Sequence, residues 1–276
     1  MAGRVATAVL QHDIAWEDRP ATLAHLAPMV AAAAQDGARL LVLTEMFSVG
    51  FSPHTDLIAE PPDGPSTAFL SAAARDHGLW AVGSVCVRRA DGGLPRNEAV
   101  LAAPDGTVHR YAKRHLFSYA GEHRRMSAGG PTLTVDVDGL RTTVFVCYDL
   151  RFADDFWRTA PGTDAYVVVA NWPAARRAHW RSLLVARAVE NQAWVVGANR
   201  VGVGGNLEYA GDSLVVDPMG EVVADGAGAG EVTLRAVLDP GRVAEVRARY
   251  PFLRDREVPV PLAPDEPTRR DHPDER

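Results

Sequence analysis

The chain has 276 residues, of which 47% are hydrophobic and 23% charged, and a formal net charge of −6. Such a length and apolar fraction fit one large α/β domain or two small ones, and the acidic balance argues against nucleic acid, whose phosphates want a basic surface. Two cysteines, Cys86 and Cys147, cannot make a disulfide framework or a C-x-x-C zinc site, and no apolar run is long enough to cross a bilayer.

In chain order, RVATAVLQ (4–11) reads as a first strand. Residues 20–36 carry apolar residues at Leu23, Leu26, Met29 and Val30, which is helical spacing, with Pro20 near the start and Gly37 at the end. ARLLVLTE (38–45) is a near-continuous apolar run, as in a strand buried on both faces. PSTAFLSAAARDHG (65–78) reads as a helix closed by Gly78, and LWAVGSVCVRR (79–89) as a strand. Residues 97–113 form a hairpin about Pro104-Asp105-Gly106, and residues 132–147 form another about Asp138-Gly139. A helix is predicted over 150–160, a buried strand over 164–173 and a long helix over 179–192. Strands follow at 194–202, within 209–226 and at 231–239, with a short helix over 240–249. From Pro251 to Arg276 the composition turns to Pro, Asp, Glu and Arg. That predicts a tail that is extended or partly disordered, after a single domain over 1–250.

Three strand ends carry reactive groups. TTVFVC ends in Cys147, which reads either as a buried structural thiol or as a nucleophile at a strand-to-helix turn. In the second reading the helix N-terminus favours the thiolate, and nearby backbone N–H groups face an oxyanion. LLVLTE ends in Glu45, a carboxylate that is costly to bury unless it is paired or functional. HRYAKRHLF carries Lys113, which in isolation is a solvated loop lysine. Together a thiol, a base and a cation are the minimum set for acyl transfer at an amide. Neither a G-x-S-x-G elbow nor a phosphate-binding glycine motif in strand-then-helix context competes with them.

These residues and their flanks resemble the nitrilase superfamily of carbon–nitrogen hydrolases, whose catalytic set is Glu-Lys-Cys. LVLTEMFSVGFS, YAKRHLFSYAGEH, VCYDLRF, ANWPAARRAHWRSLLVARAVENQ and ANRVGVGGNLEYAGDSLVVDPMG are similar to segments of its omega-amidase branch, over roughly residues 4 to 250. The resemblance implies an α/β fold, a four-layer αββα sandwich with two mixed β-sheets flanked by helices, and a homodimer. It implies a second active-site glutamate at Glu122. It also implies hydrolysis of the terminal amide of 2-oxoglutaramate or 2-oxosuccinamate through a thioester on Cys147, with Lys113 and the Tyr148 N–H holding the oxyanion. No metal or organic cofactor is expected. Arg176 is the candidate partner of the substrate carboxylate, and Trp172 and Phe117 are candidate pocket walls. Two departures stand out: Thr44 and Ala153 occupy positions that are usually proline. Neither removes a reactive group, but the first removes a backbone constraint beside Glu45.

An N-carbamoyl-amide hydrolase would use the same three residues with a differently shaped pocket. A silent member would instead bind a partner through its acidic tail. A metal hydrolase would need ligands such as His115 and His123, which lack a recognised spacing. The N-terminus shows no signal-peptide pattern, so a cytoplasmic, reducing setting is expected.

Overall fold

The computed structural model describes residues 3–256, so most of the expected tail lies outside the described residues. The order is β1 (Val5–Gln11), α1 (Arg19–Gln35), β2 (Leu40–Val42), α2 (Thr55–Ile58), α3 (Pro65–His77), β3 (Trp80–Val87), β4 (Arg96–Ala102) and β5 (Val108–Ala112). Then come β6 (Leu133–Val137), β7 (Leu140–Val146), α4 (Ala153–Thr159), β8 (Ala165–Ala170), α5 (Arg177–Asn191) and β9 (Trp194–Asn199). The series ends with β10 (Val201–Gly204), β11 (Leu207–Val216), β12 (Val222–Ala227), β13 (Val232–Leu238) and α6 (Pro240–Arg249). Among the described residues the short α2 is the one α-helix that apolar periodicity does not predict.

Local chemistry explains the element ends. The Asp18 side chain accepts a hydrogen bond from Ala21 N at 3.0 Å and Pro20 sits in the first turn, so α1 starts there. Its inward face is Thr22, Leu26, Val30 and Ala33, at helical spacing. Gly78 closes α3 in the left-handed region, at φ 65°.

Two mixed sheets result. One runs β13-β1-β2-β3-β4-β5, with β1, β2 and β3 parallel; the other runs β10-β11-β9-β8-β7-β6, with β7, β8 and β9 parallel and β12 added on β11. The two-residue period of a strand then divides the core. Val5 and Val9 of β1 and Leu40 and Val42 of β2 face the second sheet, in one cluster with its inward-facing Val144, Val167 and Val196. Ala8, Leu10 and Leu41 face outward against Leu26 and Val30 of α1 and Leu70 of α3. On the far side α5 covers the second sheet with Trp180, Leu184 and Ala188. The layers are therefore helix, sheet, sheet, helix, as the resemblance implied.

Parallel neighbours bring β2, β7 and β8 to a common edge with their carboxyl ends, where open α/β sheets hold ligands. β5 ends there too, and Gly129 lies against it. Gly129 N donates to Lys113 O at 2.8 Å. A Cβ on Gly129 would stand 2.0 Å from the Ala112 carbonyl oxygen, a backbone atom with no rotamer to give way. Gly129→Ala should therefore lower unfolding stability in urea by about 1–3 kcal/mol, the usual cost of overpacking. An unchanged midpoint would contradict this packing at the end of β5.

Candidate active site

Glu45 follows β2 on an irregular extension. Leu43 N donates to Val82 O at 2.7 Å, Ser84 N to Thr44 O at 3.2 Å, and Met46 N to Ser84 Oγ at 2.8 Å, so β3 grips the segment on both sides of Glu45. Thr44, in place of the usual proline, is fully buried and 3.1 Å from His12 Nε2. His12 Nδ1 lies 2.8 Å from the Asp13 carbonyl, so Nδ1 is the donor and Nε2 accepts from the Thr44 hydroxyl. Burial lowers the His12 pKa to about 4, which keeps the ring neutral. The constraint lost with proline is replaced by a hydrogen bond.

Glu45, Lys113 and Glu122 are all buried, and they meet. Lys113 Nζ is 3.0 Å from Glu45 Oε1 and 3.0 Å from each Glu122 oxygen. The remaining lone pairs have donors of their own. Asn97 Nδ2 reaches Glu45 Oε1 at 2.8 Å, Asn171 N reaches Glu45 Oε2 at 2.8 Å, and Phe117 N reaches Glu122 Oε2 at 2.5 Å. The Asn171 side chain also donates to the Glu45 carbonyl. Burial works against the lysine ammonium, but Glu122 and Glu45 more than offset it and raise its pKa above the ordinary lysine value.

Cys147 lies where β7 ends, half-buried and facing the same cleft. Its φ is 46°, in the left-handed region where a residue with a Cβ is strained, as at a nucleophile elbow. The expected thiolate is corrected here. Burial and then the Glu45 charge push the Cys147 thiol well above the usual cysteine range, and the opposing pull of Lys113 does not compensate. The helix predicted from 150 starts only at Ala153; a 3-10 turn over Cys147–Arg151 intervenes, and it lacks the aligned dipole of a full helix. A hydrogen bond to Glu45 also favours the thiol form.

The cleft has a volume of about 540 Å³. Phe117, Tyr148, Trp172 and Arg176 all line it, as expected from the sequence. The Tyr148 ring packs 5.0 Å from the Phe117 ring, and the Arg176 guanidinium lies 5.5 Å from the Phe117 centroid. Arg151, over the Trp172 ring at 4.7 Å, and Arg125 also line the cleft. Among the described residues none of these three arginines has a carboxylate partner. Sequence reasoning missed Asn97, Asn171, Arg125 and Arg151. Of these only Asn171 carried a signal, since it closes a buried strand as Glu45 does. His115 instead bonds Asp155 Oδ2 at 2.8 Å and stacks on Phe152, while His123 is exposed. Among the described residues no group of three or more His, Cys, Asp or Glu side chains could hold a metal.

The carbon–nitrogen hydrolase family pattern matches residues 6–248. The omega-amidase YafV of Escherichia coli (strain K12) is 38% identical over 249 residues, covering 90% of this chain and 94% of that protein. The 2-oxoglutaramate amidase of Bacillus subtilis (strain 168) is 36% identical over 224 residues, covering 79% and 85%. Among solved structures, XC1258 from Xanthomonas campestris superposes with a TM-score of 0.87 at 35% identity, over 94% of this chain and 99% of that one. That protein belongs to the CN-hydrolase superfamily and carries an arsenic adduct in its active site. Saccharomyces cerevisiae Nit3, of branch 10 of the nitrilase superfamily, gives 0.82 at 27% identity, over 90% and 95%. A match over nearly the whole chain, in sequence and in fold, means that this chain belongs to the carbon–nitrogen hydrolases of the nitrilase superfamily.

Proposed function

We propose that this chain is an omega-amidase whose residues 1–250 form the catalytic domain, with Cys147 as nucleophile, Glu45 as proton carrier, and Lys113 and the Tyr148 N–H as oxyanion donors. The observation that carries the reading is the buried ammonium held between two glutamates beside a thiol. Glu45 takes the Sγ proton as sulfur adds to the amide carbon. The carbonyl oxygen takes up the electron pair and its charge is met by Lys113 and the Tyr148 N–H. When the carbonyl re-forms, the C–N bond breaks, Glu45 returns the proton to nitrogen, and ammonia leaves. A thioester remains on Cys147. Glu45 then takes a proton from water as its oxygen adds to the thioester carbon. Sulfur departs with that proton, leaving a carboxylic acid and a restored thiol. Glu122 holds Lys113 in line and keeps it charged.

The substrate class follows from charge. Apart from the catalytic cluster, the charged side chains lining the cleft are Arg125, Arg151 and Arg176, in a chain that is acidic overall. A small amide with a free carboxylate at its far end suits such a lining. The relatives named for omega-amidase and 2-oxoglutaramate amidase activity point the same way. The protein works as a homodimer in a reducing, cytoplasmic setting. The exposed apolar side chains of Trp157 on α4 and Val189 on α5 suit a subunit contact, and sedimentation showing only monomer would remove the dimer.

Two experiments test the chemistry. Cys147→Ser should keep its fold and release almost no ammonia. Lys113→Met should lose about 10²–10³-fold in kcat, as when other oxyanion donors are removed. Cys86→Ser should turn over normally, because Cys86 is buried in β3 and its thiol is pushed up to about 12 by burial. Ammonia release by Cys147→Ser, or its loss in Cys86→Ser, would reassign the nucleophile.

The second compares 2-oxoglutaramate with an uncharged amide of equal length. Arg176→Ala should weaken kcat/KM for the charged substrate at least about tenfold more than for the neutral one, the scale of one charge-assisted hydrogen bond. Equal losses would clear Arg176 of that role. The same differential in Arg151→Ala alone would transfer it to Arg151.

A further inference from the structure

One carboxylate under the site is not used by the reaction as proposed. Asp149, two residues after Cys147, is completely buried and has no cationic partner within ion-pair distance among the described residues. It is satisfied by three neutral donors instead. Its Oδ2 accepts from Val146 N at 3.0 Å and from the Tyr111 hydroxyl at 2.8 Å, and its Oδ1 accepts from His115 N at 2.9 Å.

The positions of those donors matter more than their number. Val146 immediately precedes the nucleophile, on β7 of the second sheet. Tyr111 and His115 flank Lys113 at two residues on either side, at the end of β5 in the first sheet. Asp149 therefore joins the strained turn that carries Cys147 to the segment that carries Lys113, across the interface between sheets. Only an acceptor at both oxygens can do this. An asparagine would turn a donor N–H toward one set of donors and break that set.

Resting on the nucleophile reading above, we propose that Asp149 is a positioning residue that sets Cys147 against Lys113, and that it holds this geometry only as the carboxylate anion. Protonation would make one oxygen a donor. A proton on Oδ2 would set a donor against Val146 N or force the Tyr111 hydroxyl to accept, and a proton on Oδ1 would set one against His115 N; either way the brace between the Cys147 turn and the Lys113 segment weakens.

The groups around Asp149 oppose one another. Tyr111 faces it from β5, Lys113 and His115 from the segment that follows, and Val146 and Cys147 from its own turn. Asp155 on α4 binds both His115 and Arg114, and Arg187 on α5 donates to the adjacent Leu150 carbonyl at 2.8 Å. Burial raises the Asp149 pKa to about 6, against the pull of Lys113 and of its hydrogen-bond donors. The anion is thus within reach of titration in mildly acidic solution.

Tyr111→Phe is the sharper test, because it removes one donor to the anion and leaves the aromatic packing against Phe145 in place. A hydrogen bond to a charged acceptor favours the anion, so losing it raises the Asp149 pKa. The acid limb of kcat/KM should move to higher pH by about one unit, with kcat lowered and KM little changed. Asp149→Asn should lose at least about tenfold in kcat across the pH range, at unchanged near-ultraviolet circular dichroism. Should Asp149→Asn fail to fold, Tyr111→Phe decides alone. An active Tyr111→Phe enzyme with an unmoved acid limb overturns the positioning role. A wild type without amidase turnover, or a Cys147→Ser variant that retains it, overturns the reading beneath it instead.

Discussion

A lysine ammonium cannot sit in a dry interior unless opposite charge comes with it. Lys113 is buried and takes two carboxylates with it, Glu45 and Glu122, each 3.0 Å away. Removing one member of such a buried group typically costs about 3–5 kcal/mol, because the remainder is left uncompensated. The surrounding architecture can be read as the means of satisfying this cluster. Asn97 comes from β4, Asn171 from the end of β8, and the Phe117 N–H from the loop after β5, and each supplies a hydrogen bond that a glutamate oxygen would otherwise lack.

The charge of the cluster also governs the thiol. With two carboxylates against one ammonium, the cavity already leans negative, and a thiolate would add to that. Burial and the Glu45 charge therefore favour the thiol form of Cys147. A base held next to the thiol suits a nucleophile that is ionised only as it attacks. The arginine-lined cleft outside the cluster brings positive charge to the substrate side. An anionic amide would thus meet favourable potential where its carboxylate lies, and a neutral thiol where its carbonyl arrives.

Much of this was legible in the sequence, for identifiable reasons. Glu45, Cys147 and Asn171 each close a run of β-branched or leucine residues, and a polar group there is conspicuous against its apolar flank. Helices α1 and α3 announced themselves through Pro20 and Pro65 at their starts and Gly37 and Gly78 beyond their ends. Other features needed the fold. The run 38–45 reads as one strand, yet only Leu40–Val42 pairs regularly, because the segment after it is gripped by Ser84 in an irregular way. Glu122 lies in a loop whose sequence resembles any solvated turn, and only the family resemblance singled it out. His12 and Thr44, or Asp149 and Tyr111, are more than thirty residues apart in the chain, and no local pattern relates them. The pull toward a thiolate expected at Cys147 is outweighed for the same reason. Helix geometry can be inferred locally, whereas the burial and the glutamate that dominate the thiol come from elements distant in sequence.

The central claim is therefore one of charge: in the resting enzyme Cys147 is neutral, and its proton passes to Glu45 only during attack. Thiolate absorbance near 240 nm, followed against pH in wild type and in Cys147→Ala, measures this directly. The account predicts superimposable curves through neutral pH, with a Cys147-dependent signal only above the range of a free cysteine, about 8.5. A thiolate signal present near pH 7 in wild type and absent from Cys147→Ala would contradict it. The resting site would then hold a preformed thiolate–lysine ion pair.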